Sequence, residues 1–271
     1  MNSDETISPD VDLQAVFGFA SDRGLRRELN EDSLIAADPI YAVADGMGGH
    51  EAGEVASSIC VRTLGDSPRV GHHLPEVPLT EVEELLRLAD TRIREATGGR
   101  AGTTLTGVVL IQHEGTPHWL VFNVGDSRTY RFSNGSLQRI TVDHSEVQEL
   151  IDMGRITPDE ALVHPRRHVV TRALGTGNDT SADFWLLPVE AGERLLVCSD
   201  GLTGELSDGS IAEILSTVPN PQDACAALVS AALRSGGRDN VTVLVIDAET
   251  GTGAGREKES AAAEHARSSI E

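Results

Sequence analysis

Trp119-Leu-Val-Phe-Asn-Val124-Gly125-Asp126-Ser127-Arg128-Thr129-Tyr-Arg-Phe132-Ser133-Asn134-Gly135-Ser136-Leu137-Gln-Arg-Ile140 carries three β-like runs in one short stretch. Gly125-Asp126-Ser127 separates the first two and Asn134-Gly135 the last two. Connections this short suit antiparallel neighbours and cannot hold the crossover helix that a parallel pair requires. Further β-like runs lie at Val16–Ala20, Ile40–Ala44, Thr103–Ile111, Arg194–Cys198 and Val241–Ile246. Helical spacing is clearest in Leu79–Thr97, where Val82, Leu85, Leu86, Ala89 and Ile93 recur at i, i+3, i+4. Ala56–Leu64, Ser145–Met153, Ser210–Val218 and Gln222–Arg234 are further helix candidates, with start signals at Asp208 and Pro221 for the last two. Strands interleaved with a few long helices predict an α+β layered protein with antiparallel sheets.

The length of 271 residues allows a substantial core. No Pro/Ser-rich linker divides the chain, so one domain is expected, with no internal repeat. The acidic balance, 43 Asp plus Glu against 22 Lys plus Arg, argues against binding nucleic acid or anionic membranes. Lys258 is the only lysine, and the arginine excess reads first as compositional bias. Cys60, Cys198 and Cys225 are far apart and form no CxxC pair, which predicts reduced thiols buried as small core residues. The acidic start, Met1-Asn-Ser-Asp-Glu-Thr, lacks the basic and apolar regions of a signal peptide, and no stretch approaches the ~20 apolar residues of a membrane span. A soluble, cytoplasmic chain is expected. From Thr250 the composition turns to Gly, Ala, Ser, Glu and Arg without apolar periodicity, which predicts a disordered tail over 248–271, a frayed helix over Glu257–Arg267 being the alternative.

Aspartate recurs where β-like runs end. Tyr41-Ala-Val-Ala-Asp45-Gly46, Val121-Phe-Asn-Val-Gly-Asp126 and Leu195-Leu-Val-Cys-Ser-Asp200-Gly each finish this way, and Asp239-Asn240 directly precedes Val241–Ile246. Two carboxylates about 5 Å apart repel by roughly 3 kcal/mol at an effective dielectric near 20, so four brought together need cations. Hard Mg²⁺ and Mn²⁺ prefer carboxylate, carbonyl and water oxygens, whereas zinc and copper sites recruit closely spaced Cys and His. A magnesium- or manganese-type centre is therefore the better reading. Any one of these aspartates alone could equally be a turn or cap residue.

Six ordered segments carry a family resemblance. Ser21-Asp-Arg-Gly-Leu-Arg-Arg-Glu-Leu-Asn-Glu-Asp32-Ser33, Asp45-Gly-Met-Gly-Gly-His-Glu-Ala-Gly-Glu54, Gly102-Thr-Thr-Leu, Val124-Gly-Asp-Ser-Arg128, Ser199-Asp-Gly-Leu-Thr203 and Asp239-Asn240 occur in the order seen in type 2C metal-dependent protein phosphatases. The chain resembles a bacterial serine/threonine phosphatase of that family over residues 15–247. The resemblance implies a four-layer α-β-β-α sandwich whose two central antiparallel sheets are flanked by helices. It implies that Asp45 bridges two Mn²⁺ or Mg²⁺ ions, that the Gly46 carbonyl binds one of them, and that Asp200 and Asp239 complete the other. A residue without Cβ after Asp45 lets a carbonyl approach an ion closely. Asp126 and Asp200 match positions of a third, weaker ion. Arg27, five residues before Asp32, corresponds to the phosphate-binding arginine, while Arg26 reads as an ordinary surface arginine. Glu31 and Asp32 resemble the acidic pair that holds metal-bound water, and Asn30, just before them, is read as organising this turn rather than reacting.

The implied activity is hydrolysis of phosphoserine and phosphothreonine on proteins by metal-activated water, opposing a Ser/Thr kinase. Arg27, Asp45, Asp200 and Asp239 would be its catalytic set, phosphorylated proteins its partners, and a monomer its expected state. The alternative is a non-catalytic phosphatase-like module that binds phosphoprotein. Met47 stands where animal members carry a histidine proposed as general acid, so leaving-group protonation has no assigned residue; His50 nearby reads as structural or solvent-facing. Val142–Gly175 resembles the bacterial flap beside the active site, the alternative being a helical hairpin that only covers a sheet edge.

Competing motifs fail. Glu51 stands where a dinucleotide fingerprint needs its third glycine after Gly46-Met-Gly48, and no lysine is placed for a phosphate loop. Glu54 stands where a zinc peptidase following His50-Glu51 would need histidine. The Gly125-Asp126-Ser127 stretch lacks the later Asp-x-x-His of serine hydrolases, since Ala262 precedes His265 at that spacing.

Overall fold

The computed structural model describes residues 13–48, 52–177 and 180–250. In chain order the elements are β1 (Leu13–Asp22), β2 (Asp32–Ala37), β3 (Ile40–Gly48), α1 (Ala52–Gly65), α2 (Leu79–Thr97), β4 (Ala101–Thr103), β5 (Leu105–His113) and β6 (Thr116–Val124). They continue with β7 (Arg128–Ser133), β8 (Ser136–Arg139), α3 (Glu146–Asp152), α4 (Pro158–Leu162), β9 (Asp183–Pro188), β10 (Arg194–Cys198), α5 (Asp200–Thr203), α6 (Asp208–Thr217), α7 (Pro221–Ser235) and β11 (Val241–Thr250).

The strands make two antiparallel sheets, one ordered β1-β11-β10-β7-β8 and the other β2-β3-β5-β6-β9, with β4 added against β3. Alternation along each strand explains why two sheets stack between two helical layers. Tyr41, Val43, Trp119 and Val121 point toward Leu195, Val197, Leu244 and Ile246 of the other sheet. Their neighbours Ile40, Ala42, Leu120 and Phe122 face α1 and α2, while Val241, Val243 and Val245 face α6 and α7. Strands covered on both faces read as continuous apolar runs, and that made them visible in the sequence. This is the α-β-β-α sandwich expected from the resemblance.

The turn over Asn134-Gly135 has φ of 52° and 75°, the pair of positive values a two-residue type I′ hairpin demands. Asn220 caps α7 through its side chain, with Pro221 in the first turn, and Ser207 caps α6.

Several elements depart from expectation. The run expected over Thr103–Ile111 is two strands, because Thr104 turns its hydroxyl to the Asp45 N–H while β4 pairs with the far end of β3. The unpredicted β2 and β9 lie at the edge of their sheet and bury one face only in part, which dilutes the period-2 signal. The paired ends also run longer than the expected 15–247, since Leu13 lies opposite Thr250 and Ala248 is buried. His50, Glu51, the N-terminal residues before Leu13 and the tail over 251–271 lie outside the described residues. The three cysteines are free and buried, and burial pushes each thiol up to about 12.

Candidate active site

Antiparallel pairing collects the aspartates at one end of both sheets. Asp32 opens β2 directly opposite Asp45 near the end of β3. In the other sheet Cys198 ends β10 opposite both Arg128, which opens β7, and Val243 near the start of β11. Asp200 therefore follows the end of β10, Asp239 precedes β11, and Asp126 sits in the β6–β7 connection that crosses between sheets. Asp45, Asp126, Asp200 and Asp239 all keep partial solvent contact, as ion-accessible groups must.

Close approach of these loops needs glycine at particular points. A Cβ at Gly46 would lie 2.1 Å from the Gly53 carbonyl oxygen and 2.6 Å from that of Glu31. At Gly201 it would lie 1.8 Å from the Asn240 carbonyl oxygen, so the Asp200 and Asp239 loops touch only because that position has no side chain.

The electrostatics is that of a cluster short of positive charge. Burial raises the Asp45 carboxyl well above its ordinary range, and Asp32, Asp200, Asp126 and Asp239 push it further. Asp200 is raised by burial and Asp239, against the charges of His168 and Arg27. Asp126 is raised well above its ordinary range by burial, Asp200 and Asp143. Asp32 is pushed up to about 7, chiefly by burial, despite accepting a 2.9 Å hydrogen bond from Ser199 Oγ. Glu31 is raised by burial while Arg27 pulls it down.

Arg27 donates from Nη2 to Asp239 Oδ2 at 2.7 Å and lies 3.9 Å from Glu31 Oε2. Burial alone would lower its guanidinium, and Asp239 more than offsets this. Arg26 is exposed and makes no hydrogen bond or ion pair among the described residues. Asn30 bridges its turn, donating to Ser21 Oγ at 2.8 Å and accepting from the Asp32 N–H at 3.3 Å.

Three residues of the quoted segments, given no role from the sequence, support the site. Asn240 accepts from the Glu31 N–H and donates to the Arg23 and Leu29 carbonyls, clamping the loop that carries Arg27. Ser199 links Asp32 to the Thr242 N–H, and Thr103 donates to the Asp45 carbonyl. Each is a buried polar residue within two positions of a carboxylate or at a strand junction, and that is the signal that could have found them.

The donor set fits hard divalent ions. It consists of oxygens only, and buried Glu31 Oε1 and Asp32 Oδ1 lack a hydrogen-bond partner among the described residues. No three His, Cys, Asp or Glu side chains there form a ready cage. Carbonyl and water oxygens would complete the shell, the habit of Mg²⁺-type ions, which keep several waters.

The segment over 142–175 contributes α3 and α4 and rejoins the body where Leu174 bridges Thr103. It is a pair of short helices that exposes Met153, Leu162 and Val163, and it brings His168 within electrostatic reach of Asp200.

Comparison with known proteins defines the class. A family model described as protein phosphatase 2C matches residues 26–235. Serine/threonine protein phosphatase PstP of Mycobacterium tuberculosis is 40% identical over 245 residues, which is 88% of this chain and 46% of PstP. Serine/threonine phosphatase stp of Listeria monocytogenes is 35% identical over 243 residues, 84% of this chain and 94% of stp. The crystal structure of the PstP catalytic domain in complex with two manganese ions is 37% identical with a TM-score of 0.79, covering 88% of this chain and 99% of that one. The chain belongs to the protein phosphatase 2C family. It spans about half the length of the M. tuberculosis relative it matches. Among the described residues no helix is long and apolar enough to cross a membrane.

Proposed function

We propose that this chain hydrolyses phosphoserine and phosphothreonine on cytoplasmic proteins, opposing a Ser/Thr kinase. The observation that carries this reading is the meeting of Asp45, Asp200 and Asp239 with Arg27 at one end of the stacked sheets. Asp45 and the Gly46 carbonyl would hold one ion, and Asp45 with Asp200 and Asp239 the other; Asp126 with Asp200 would hold a third, weaker one. When bound, Mn²⁺ or Mg²⁺ supplies positive charge to the phosphoryl oxygens and an acidified water for in-line attack.

The chain's own groups do the rest. Arg27 is tethered by Asp239 yet 47% exposed, so its guanidinium fork can turn to two phosphoryl oxygens. Glu31 Oε1 and Asp32 Oδ1 supply spare acceptors that orient water for attack. Met47 has no proton to give, so no side chain at that place protonates the departing oxygen. Serine or cysteine need not act as nucleophile: Ser127 Oγ is buried against Thr104 Oγ1 at 2.7 Å, and all three thiols are buried.

Phosphate release from a phosphothreonine peptide with added Mn²⁺, beside the matched phosphotyrosine peptide, tests the reading. Preferred release from phosphothreonine is expected. Binding of the phosphopeptide without release would assign a binding module instead.

A further inference from the structure

The Gly125 peptide, one residue before Asp126, is held on both sides. Its N–H donates to His144 Nδ1 at 3.1 Å, and its carbonyl accepts from the His144 N–H at 2.9 Å and from Asn123 Nδ2 at 3.0 Å. At φ of 108° Gly125 takes a conformation few side chains adopt, and a Cβ there would meet Thr104 Cβ at 2.6 Å. The β6–β7 turn is thus set by its contacts.

The donating Gly125 amide makes Nδ1 an acceptor, which places the ring proton on Nε2. Nε2 then donates to Asp183 Oδ2 at 3.1 Å. Arg172 Nη1 also approaches Nε2, but two donors cannot bond each other, and that guanidinium is satisfied by Asp183 Oδ1 at 3.1 Å. The main chain of His144 ties the same ring to the flap: its carbonyl accepts from the Thr171 N–H at 2.8 Å, and Ser145 bridges Val170. His144 is only 6% exposed, and both ring nitrogens are engaged by the Gly125 N–H and Asp183, so it is not placed as a solvent-facing proton-transferring histidine.

We propose that His144 is a positioning residue that holds the Gly125–Asp126 turn through Nδ1 and fastens it to the returning end of the flap. Asp126 is thereby aimed at Asp200, and the flap's anchorage and the weakest ion's affinity become one mechanical unit. The inference rests on the reading of Asp126 as a cation-holding carboxylate.

Mn²⁺ binding by the full chain, followed calorimetrically so that tight and weak events are resolved, tests it. His144→Gln keeps a donor toward Asp183 but offers no acceptor at the Nδ1 place. It should weaken the weak event about tenfold, the scale of losing an outer-shell partner, and leave the tight pair unchanged. His144→Asn, whose Oδ1 can stand in for Nδ1, should restore it. Equal loss of all ions in both variants, or no change in the glutamine variant, would overturn the proposal. Asp126→Ala separates the two readings: if it abolishes the weak event while His144→Gln does not, only the positioning role falls. If it leaves the weak event intact, Asp126 holds no ion and the inference falls with it. Should His144→Gln fail to fold, Asp183→Ala, at a 44% exposed side chain, releases the Nε2 end instead, and an unchanged weak event there also refutes the proposal.

Discussion

Arg27 Nη2 lies 2.7 Å from Asp239 Oδ2, joining residues 212 positions apart in the chain. The pair neutralises one carboxylate of an otherwise overcharged cluster and parks a guanidinium at its edge. A partly exposed pair of this kind is worth about 0–1 kcal/mol. It can therefore exchange Asp239 for a phosphoryl group at little cost once a divalent ion takes up the carboxylate.

Arg27→Ala should lower kcat/KM by an amount equivalent to about 2–4 kcal/mol, the scale of losing a charge-stabilising contact in an active site. Arg26→Ala should do much less, since Arg26 is exposed and makes no hydrogen bond or ion pair among the described residues. Steady-state kinetics on one phosphopeptide checks both, and the reverse ranking would move the phosphate contact to Arg26.

Stability of the metal-free protein should fall with rising pH. The Asp32 carboxyl sits near 7 in the fold, against about 4 in an unfolded chain, so the folded state binds more protons between those values. The sign follows: stability is lost progressively as pH climbs from about 4 through about 7. Asp45, Asp126 and Asp200, also raised, add in the same direction. Thermal melts of chelator-treated protein across this range should show a declining Tm that Mn²⁺ restores; a Tm that rises with pH would contradict the carboxylate cluster.

Gly201→Ala should cost about 1–3 kcal/mol of stability, the usual effect of overpacking. The new methyl would force the Asp200 loop away from the Asn240 carbonyl 1.8 Å away. Activity should fall further than stability alone explains, because Asp200 and Asp239 move apart. Denaturant melts with matched kinetics separate the two effects, and a fully active, unaltered variant would show the loops are not in register-critical contact.

The parts legible in the sequence were those set by local chemistry. β11 stands out because Val243 and Val245 meet the helices while Leu244 and Ile246 meet the other sheet, leaving no polar position to interrupt the run. The aspartates stand out because each directly follows or precedes such a run. β2 and β9, with half-covered edge faces, carried no comparable pattern. Choosing Arg27 over Arg26 needed the resemblance, since nothing local distinguishes neighbouring arginines; the partner that separates them lies at Asp239. Ser199 and Asn240 stayed hidden for the same reason, their work being done on Asp32 and on the Arg23–Glu31 loop across long separations.

Arg166 and Arg167 of the flap should select substrates while their replacement hardly changes metal affinity. Arg166 pairs with Glu146 at 2.5 Å on this segment, and both Arg166 and Arg167 are exposed. Replacing both with alanine should alter relative rates on two phosphopeptides while an aryl phosphate, too small to reach the flap, is comparatively unaffected. Equal proportional loss on all three substrates would show that the flap does not discriminate.

On the proposed reading, Asp45, Asp200 and Asp239 hold the divalent ions that make hydrolysis possible. Phosphate release from a phosphothreonine peptide, measured for the parent chain and Asp45→Asn after chelation and after return of Mn²⁺ or Mg²⁺, decides it. The demetallated parent should be inactive and recover with either ion, and Asp45→Asn should remain slower by several orders of magnitude at saturating metal. Full turnover by the demetallated parent, or a near-normal rate for Asp45→Asn, would contradict it.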